Sequence, residues 1–191
     1  GIGLTVAHKL ADAGAHVLLV SRTKETLEEV KADIEAKGGS ATVFPCDLND
    51  LDSIDEVSKQ ILASVDHIDI LINNAGIQRR YPFTEFPEDE WDQVIEVNQK
   101  GVFLVSQQVA KYMMTRRAGK IINICSMQSE LGRDTITPYA ASKGAVKMLT
   151  RGMCVELARH NIQVNGIAPG YFKTAMTQAL VDDKAFTDHL F

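Results

Sequence analysis

The stretch YAASKGAVKMLT, from Tyr139 to Thr150, is rich in Ala, Gly, Val, Met and Leu, yet it carries a phenol and an ammonium four residues apart, on Tyr139 and Lys143. Four residues is close to one helical turn, so the two side chains share a face. A helix buried in a core needs neither group. Together they suit proton transfer: a free phenol has a pKa near ~10 and is a poor base at neutral pH, and a cation close by favours its ionised form. Tyr139 so placed can take a proton from an alcohol, or return one to a carbonyl during reduction. Ser126, thirteen residues upstream, supplies a hydroxyl that can hold the reacting oxygen against the phenol. The expectation is a phenol made more acidic by Lys143.

These groups need a scaffold, and the chain reads as short apolar strands alternating with amphipathic helices. Strands are expected at 15–20 (AHVLLV), 41–45 (ATVFP), 68–72 (IDILI), 120–124 (KIINI) and 162–166 (IQVNG). A first helix carries Leu4, Val6, Ala7 and Leu10, and a second has a stripe of Leu27, Val30 and Ile34 stopped by Gly38-Gly39. A third carries Ile54, Val57 and Ile61 and is opened by the Asp and Ser residues at 50–53; two longer ones are expected over about 88–116 and 138–158. Continuous apolar runs separated by helices imply parallel pairing with both faces of the sheet covered. The predicted fold class is α/β: one Rossmann-like, doubly wound parallel sheet with helices on both faces, a single domain over 1–191.

Ligands of such sheets sit beyond the carboxyl ends of the strands. The residues just past those ends are Ser21-Arg22, Cys46-Asp47, Asn73-Asn74-Ala75-Gly76, Cys125-Ser126 and Pro169-Gly170. Four of these five exits offer polar groups or glycines suited to close backbone approach, and that edge is the expected site.

Composition narrows the classes. The 191 residues are 45% apolar and 24% charged, with five prolines, which suits one sizeable globular core. A net charge of −5 argues against non-specific affinity for nucleic acid. No apolar run approaches the roughly 20 residues needed to cross a bilayer. Cys46, Cys125 and Cys154 are far apart in apolar segments with no Cys-x-x-Cys or Cys/His cluster, so buried free thiols are expected, no metal site is, and the cytoplasm is the expected compartment.

Gly1-Ile2-Gly3, opening an apolar helix, fits either an ordinary helix start or the tail of a glycine-rich loop that lets a pyrophosphate approach a helix N-terminus. The strand AHVLLV ends 17 residues after Gly3, where a dinucleotide fold meets the adenosine ribose. An NAD site commonly has a carboxylate there to bind the 2′-hydroxyl. Here stand Ser21 and Arg22, and a guanidinium fork without a carboxylate beside it suits a 2′-phosphate, so NADP is favoured, with NAD possible as a working cofactor. The alternative for Arg22 is a surface arginine at a strand end, and Asp47 reads equally as an acceptor for the adenine amino group or as a turn former. Asn73-Asn74-Ala75-Gly76 offers side-chain amides and a backbone that can pass close to a ligand.

NNAG, a Ser after the next strand, Tyr-x-x-x-Lys thirteen residues later and a Pro-Gly after a further strand resemble the short-chain dehydrogenase/reductases, over essentially the whole chain. The resemblance implies Ser126, Tyr139 and Lys143 as catalytic Ser, Tyr and Lys, and Asn98, in VNQKG, as catalytic Asn. It further implies that Lys143 binds the nicotinamide ribose, that the charge of the oxidised nicotinamide adds to the acidification of Tyr139, and that Asn98 holds a water linking Lys143 to solvent. Thr174, after PGYFK, would meet the nicotinamide carboxamide. The family pattern has a strand with Thr-Gly ahead of Gly1 and a helix and strand after Phe191, so the chain reads as the interior of a longer enzyme.

The stretches from Asn73 and from Ile122 onward are similar to the gluconate 5-dehydrogenase branch of that family, which implies interconversion of D-gluconate and 5-keto-D-gluconate. A sugar acid wants a cation for its carboxylate and polar groups for its hydroxyls. Arg79 and Arg80 follow NNAG, and Gln128, Ser129, Glu130 and Arg133 lie between Ser126 and Tyr139. Arg79 and Arg80 fit a solvated or subunit-contact pair equally well. Residues 171–191 are expected to form a lid with Phe186 and Phe191 on its inner face, and the resemblance implies a homotetramer built through the two long helices. Reduction of a 3-oxoacyl thioester or another ketose is the alternative chemistry; a dinucleotide-sensing protein without catalysis is the alternative class.

Overall fold

Five apolar segments form strands and the amphipathic stretches between them form helices, in strict alternation. In the computed structural model, which describes residues 1–172, 174, 177, 182 and 184, α1 (Ile2–Asp12) leads to β1 (His16–Ser21), α2 (Lys24–Ala36), β2 (Ser40–Pro45), α3 (Leu51–Ser64) and β3 (Ile70–Asn73). There follow α4 (Glu88–Ile95), a π-helical turn (Glu96–Gly101), α5 (Val102–Arg116), β4 (Gly119–Ile124), α6 (Thr137–Leu157) and β5 (Ile162–Ile167). Local chemistry sets the ends. Asp50 caps α3 by accepting hydrogen bonds from the Asp52 and Ser53 amides, 3.2 Å each. Gly38, with φ +83°, ends α2 in the left-handed conformation that a side chain disfavours.

All strand pairs are parallel, as the continuous apolar runs predict, and they fall into two ladders: β2 with β1, and β3–β4–β5. The expectation of one sheet therefore holds with a break between β1 and β3. In the doubly wound order that place belongs to a first strand. Leu18 of β1 packs against the cores on both sides of the break. Met113, Ile121 and Ile162, each 2% exposed or less, lie under the β3–β5 ladder with Val109 and Val164. Ala7, Ala11, Leu27 and Ile34 cover β1 and β2.

The long helix expected over 88–116 is divided. Its middle turn is wound as π, which throws Asn98 inward, fully buried. Such single π turns recur at functional sites because the extra residue re-aims the side chains beside it. Cys46 and Cys125 are buried as expected, but Cys154 is exposed, because the face of α6 that carries it points away from the sheet.

Candidate active site

Ser126 leaves β4 and caps a single 3-10 turn, Met127–Ser129. Its Oγ accepts from the Gln128 amide at 3.1 Å, while its own amide donates to Ser129 Oγ at 3.3 Å. This is a capping box with serine in both roles. The Ser129 hydroxyl in turn donates to the Lys143 carbonyl at 3.0 Å, tying the turn to α6.

The polar stripe of α6 faces that turn. Tyr139 lies within hydrogen-bonding reach of the Ser126 side chain, and the Lys143 ammonium sits 5.8 Å from the Tyr139 ring centroid. Lys143 is 5% exposed, and its Nζ donates to the Ile124 carbonyl at 2.6 Å. Burial lowers its pKa to about 8. Burial also pushes the Tyr139 phenol up, and the Ser126 hydrogen bond offsets only part of that rise. The expected acidification of Tyr139 by Lys143 is thus corrected: a desolvated ammonium directed at a carbonyl does less than desolvation of the phenol itself.

Asn98 closes the back of the site. Its Oδ1 accepts from the Ile77 amide at 2.8 Å, and its Nδ2 donates to the Ile77 carbonyl at 2.9 Å and to Ser142 Oγ at 3.1 Å. Both amide protons are committed, so the side chain is a clamp on the loop after β3. Gly76, in that loop, is held against the clamp: a Cβ there would stand 3.3 Å from Asn98 Oδ1 and 3.7 Å from Lys143 Nζ.

The expected cofactor residues line the same edge. Gly3 meets the loop after β3 so closely that a Cβ would fall 2.4 Å from Asn74 Nδ2. Gly1 begins α1 without a side-chain cap. Ser21 and Arg22 are exposed at the end of β1, and Ala75 is exposed beside half-buried Asn74. Asp47 forms a turn, accepting from the Asn49 amide at 3.0 Å. The Pro169 carbonyl accepts from the Met127 amide at 3.2 Å, and exposed Gly170 follows it. Thr174 bonds locally to Thr177, its amide donating to Thr177 Oγ1 at 3.0 Å. Phe186 and Phe191 lie outside the described residues.

The two arginines expected near the substrate differ. Arg79 is occupied: its Nε donates to the Glu90 carboxylate and its second guanidinium nitrogen to Gln93 Oε1 at 3.2 Å. Arg80 turns the other way, donating to Thr135 Oγ1 at 3.4 Å, and burial and the charge of Arg133 both depress its pKa. Arg133 reaches the Tyr171 hydroxyl at 3.2 Å. The segments leaving β3 and β4 therefore bring Arg80 and Arg133 together, with the Asp134 carboxylate acting on Arg80 and Tyr171, after β5, against Arg133. Thr135, between them, has φ +63°, a conformation uncommon for a β-branched residue. Gln128 Oε1 is buried and has no hydrogen-bond partner among the described residues.

Several positioning groups escape a sequence reading. Asn73 Nδ2 donates to Asn123 Oδ1 and to Ser106 Oγ, and Asn123 Nδ2 to Thr150 Oγ1, at 2.8 Å each, pinning β3, β4, α5 and α6 together behind the catalytic groups. A lone Asn inside KIINI is the one trace of this. The Ser-x-x-Ser spacing of 126–129 is the trace of the capping box.

The family model described as short chain dehydrogenase matches residues 1–185. The chain belongs to the short-chain dehydrogenase family. This dehydrogenase is 62% identical, over 187 residues, to the 5-keto-D-gluconate 5-reductase of Escherichia coli K12, covering 98% of this chain and 74% of that protein. It is 50% identical to the gluconate 5-dehydrogenase of Gluconobacter oxydans 621H, covering 100% of this chain and 74% of that one. The crystal structure of a gluconate 5-dehydrogenase from Burkholderia cenocepacia J2315, in complex with NADP and tartrate, superposes with a TM-score of 0.95 at 50% identity, over all of this chain and 74% of that one.

The dehydrogenase has features that suit a nicotinamide dinucleotide. Lys143 Nζ is a buried ammonium with a single hydrogen-bond acceptor, Ile124 O, so two of its donors suit a pair of ribose hydroxyls. Gly1 has open space where a Cβ would stand, which leaves the start of α1 open to close approach, and Arg22 is exposed without an ion-pair partner among the described residues. No helix of the described residues is long and apolar enough to cross a membrane.

Proposed function

We propose that this dehydrogenase interconverts D-gluconate and 5-keto-D-gluconate with NADP, using Tyr139 as the general acid and base. The observation that carries the reading is the gathering of Ser126, Tyr139 and Lys143 at one sheet edge, with Lys143 buried beside the phenol. Hydride transfer is the chemistry that bound nicotinamide supplies. Gly1, Ile2 and Gly3 would hold the pyrophosphate, Ser21 and Arg22 the 2′-phosphate, Asp47 the adenine, and Asn74, Ala75, Gly76, Pro169, Gly170 and Thr174 the nicotinamide side. Lys143 would bind the ribose.

Ser126 would donate to the reacting oxygen and hold it against Tyr139. Tyr139 would take the alcohol proton, or return it to the carbonyl. A phenol that burial holds above its ordinary pKa stays protonated at neutral pH, which is the form that ketone reduction consumes. Lys143, gated by its own pKa near 8, would relay the proton toward solvent past Asn98. Since both amide protons of Asn98 are committed, a relay water would donate to one of its oxygens, side-chain or main-chain.

For the substrate carboxylate we favour Arg80 with Arg133 over Arg79, whose guanidinium is committed to Glu90 and Gln93. Gln128 Oε1, buried and unpartnered, would accept from a substrate hydroxyl. Such a pocket suits a polyhydroxy acid better than the acyl chain of a 3-oxoacyl thioester. The homotetramer expected of the long helices is part of the proposal. It is supported by exposed apolar side chains on α5 and α6: Phe103, Met148 and Val155, the last 80% exposed. A cytoplasmic setting is proposed from the two buried thiols.

The test is turnover of the full-length enzyme with NADPH and NADH against a panel of keto-sugar acids. Activity on 5-ketogluconate with NADPH preferred is expected; activity confined to an unrelated ketone would overturn the substrate. Tyr139→Phe should abolish turnover with cofactor affinity nearly intact, and surviving turnover would remove Tyr139 from its role.

A further inference from the structure

We propose that Ser129 is a positioning residue, which holds Ser126 in register with Tyr139 and Lys143 through its hydroxyl. The inference rests on the catalytic assignment of those three groups above. The Ser129 hydroxyl stands between the two elements that carry them. It accepts from the Ser126 amide at 3.3 Å and donates to the Lys143 carbonyl at 3.0 Å. Lys143 is therefore fastened twice to the exit of β4: by its carbonyl to Ser129, and by its ammonium to the Ile124 carbonyl at 2.6 Å. Ile124 is two residues before Ser126, and Ser129 is three after it, so the catalytic serine is enclosed by two links to one residue of α6.

The consequence for Ser126 is orientational. Its Oγ accepts from the Gln128 amide at 3.1 Å, which uses one lone pair. The hydroxyl proton is then free to turn toward Tyr139, whose ionised form it stabilises. If the 3-10 turn drifts, that proton no longer meets the phenol and the reacting oxygen together. Displacement of a preorganised donor by a fraction of an ångström is enough to slow a reaction strongly. Two further contacts hold the turn without touching Ser126: the Met127 amide donates to the Pro169 carbonyl at 3.2 Å, and Glu130 pairs with Lys147 one turn farther along α6, exposed on the Glu130 side.

The experiment is a double-mutant cycle in the full-length enzyme. Ser129→Ala should lower kcat by about 10- to 100-fold, with KM for the nicotinamide cofactor nearly unchanged. The limb of the pH–rate profile set by Tyr139 should move to higher pH, because the serine hydrogen bond that lowers the phenol is weakened. Ser129→Thr keeps the hydroxyl and should recover most of the rate. In a Ser126→Ala background, adding Ser129→Ala should cost little more, since its effect runs through Ser126. The idea fails if Ser129→Ala leaves kcat and the pH profile unchanged, if Thr is as impaired as Ala, or if the loss is as large in the Ser126→Ala background. If Ser126→Ala itself leaves turnover intact, the fault lies with the catalytic assignment.

Discussion

The least comfortable group in the molecule is the Lys143 ammonium. It is 5% exposed, has one carbonyl for company and titrates near 8, against 10.5 for an ordinary lysine. The depressed pKa means that the unfolded chain binds more protons than the folded one between pH 8 and 10.5, so stability from this group rises with pH across that window and is lost again as pH falls to 8. A shift of that size corresponds to about 3 kcal/mol. Lys143→Met should therefore make the cofactor-free enzyme more stable at pH 7, by about 1–3 kcal/mol in urea denaturation, while removing activity. The gain should vanish near pH 10.5; a variant less stable than its parent at pH 7 would contradict the burial penalty. Arg22 is the opposite case, exposed and unpartnered. Arg22→Ala should raise KM for NADPH by at least about tenfold and leave KM for NADH nearly unchanged. Both residues were legible as candidates from type and spacing alone. The direction of the Tyr139 shift was not, because desolvation depends on what packs around the phenol, and four residues of spacing do not reveal that.

At the scale of elements, the π turn over Glu96–Gly101 decides where the loop after β3 lies. Its Asn98 satisfies both main-chain groups of Ile77 and also reaches Ser142. Removing the amide strands buried donors and acceptors, each worth about 1–3 kcal/mol. Asn98→Ala should destabilise the enzyme by about 2–4 kcal/mol and raise KM for the cofactor, since Gly76 rests on the clamp. Thermal melts with and without NADPH check both halves; unaltered melting would show the loop to be held elsewhere. The strands and most helices were legible, because period, caps and glycine stops agree at Asp50 and at Gly38. The division of the long helix was not. Its residues have no preference between α and π winding, and the extra residue is accommodated by tertiary contacts such as the close approach of Gly101 to Leu48.

At the scale of the whole molecule, the outward face of α5 and α6 carries exposed apolar side chains that the proposed tetramer would cover. Phe103, Met148 and Val155 stand out on it, and a groove of about 310 Å³ lined by Ile95, Gln99, Lys100, Phe103, Ala145 and Leu149 lies between the helices. Met148→Glu with Val155→Glu should convert the proposed tetramer into smaller species in sedimentation velocity, with little loss of fold by circular dichroism. An unchanged sedimentation coefficient would place the contact elsewhere.

The parallel strands fall into two ladders, and the site residues divide along the same line. Gly3, Arg22 and Asp47 belong to the β1–β2 side, whereas Ser126, Tyr139 and Lys143 belong to the β3–β5 side. Asn74 against Gly3 is one of the contacts that join the two sides, with Leu48 against Gly101 and Leu18 in the cores of both. The residues proposed to set dinucleotide preference and those proposed to carry bond chemistry thus form two blocks, so evolution or an engineer can retune the first without replacing a residue of the second, provided the contacts between them are kept.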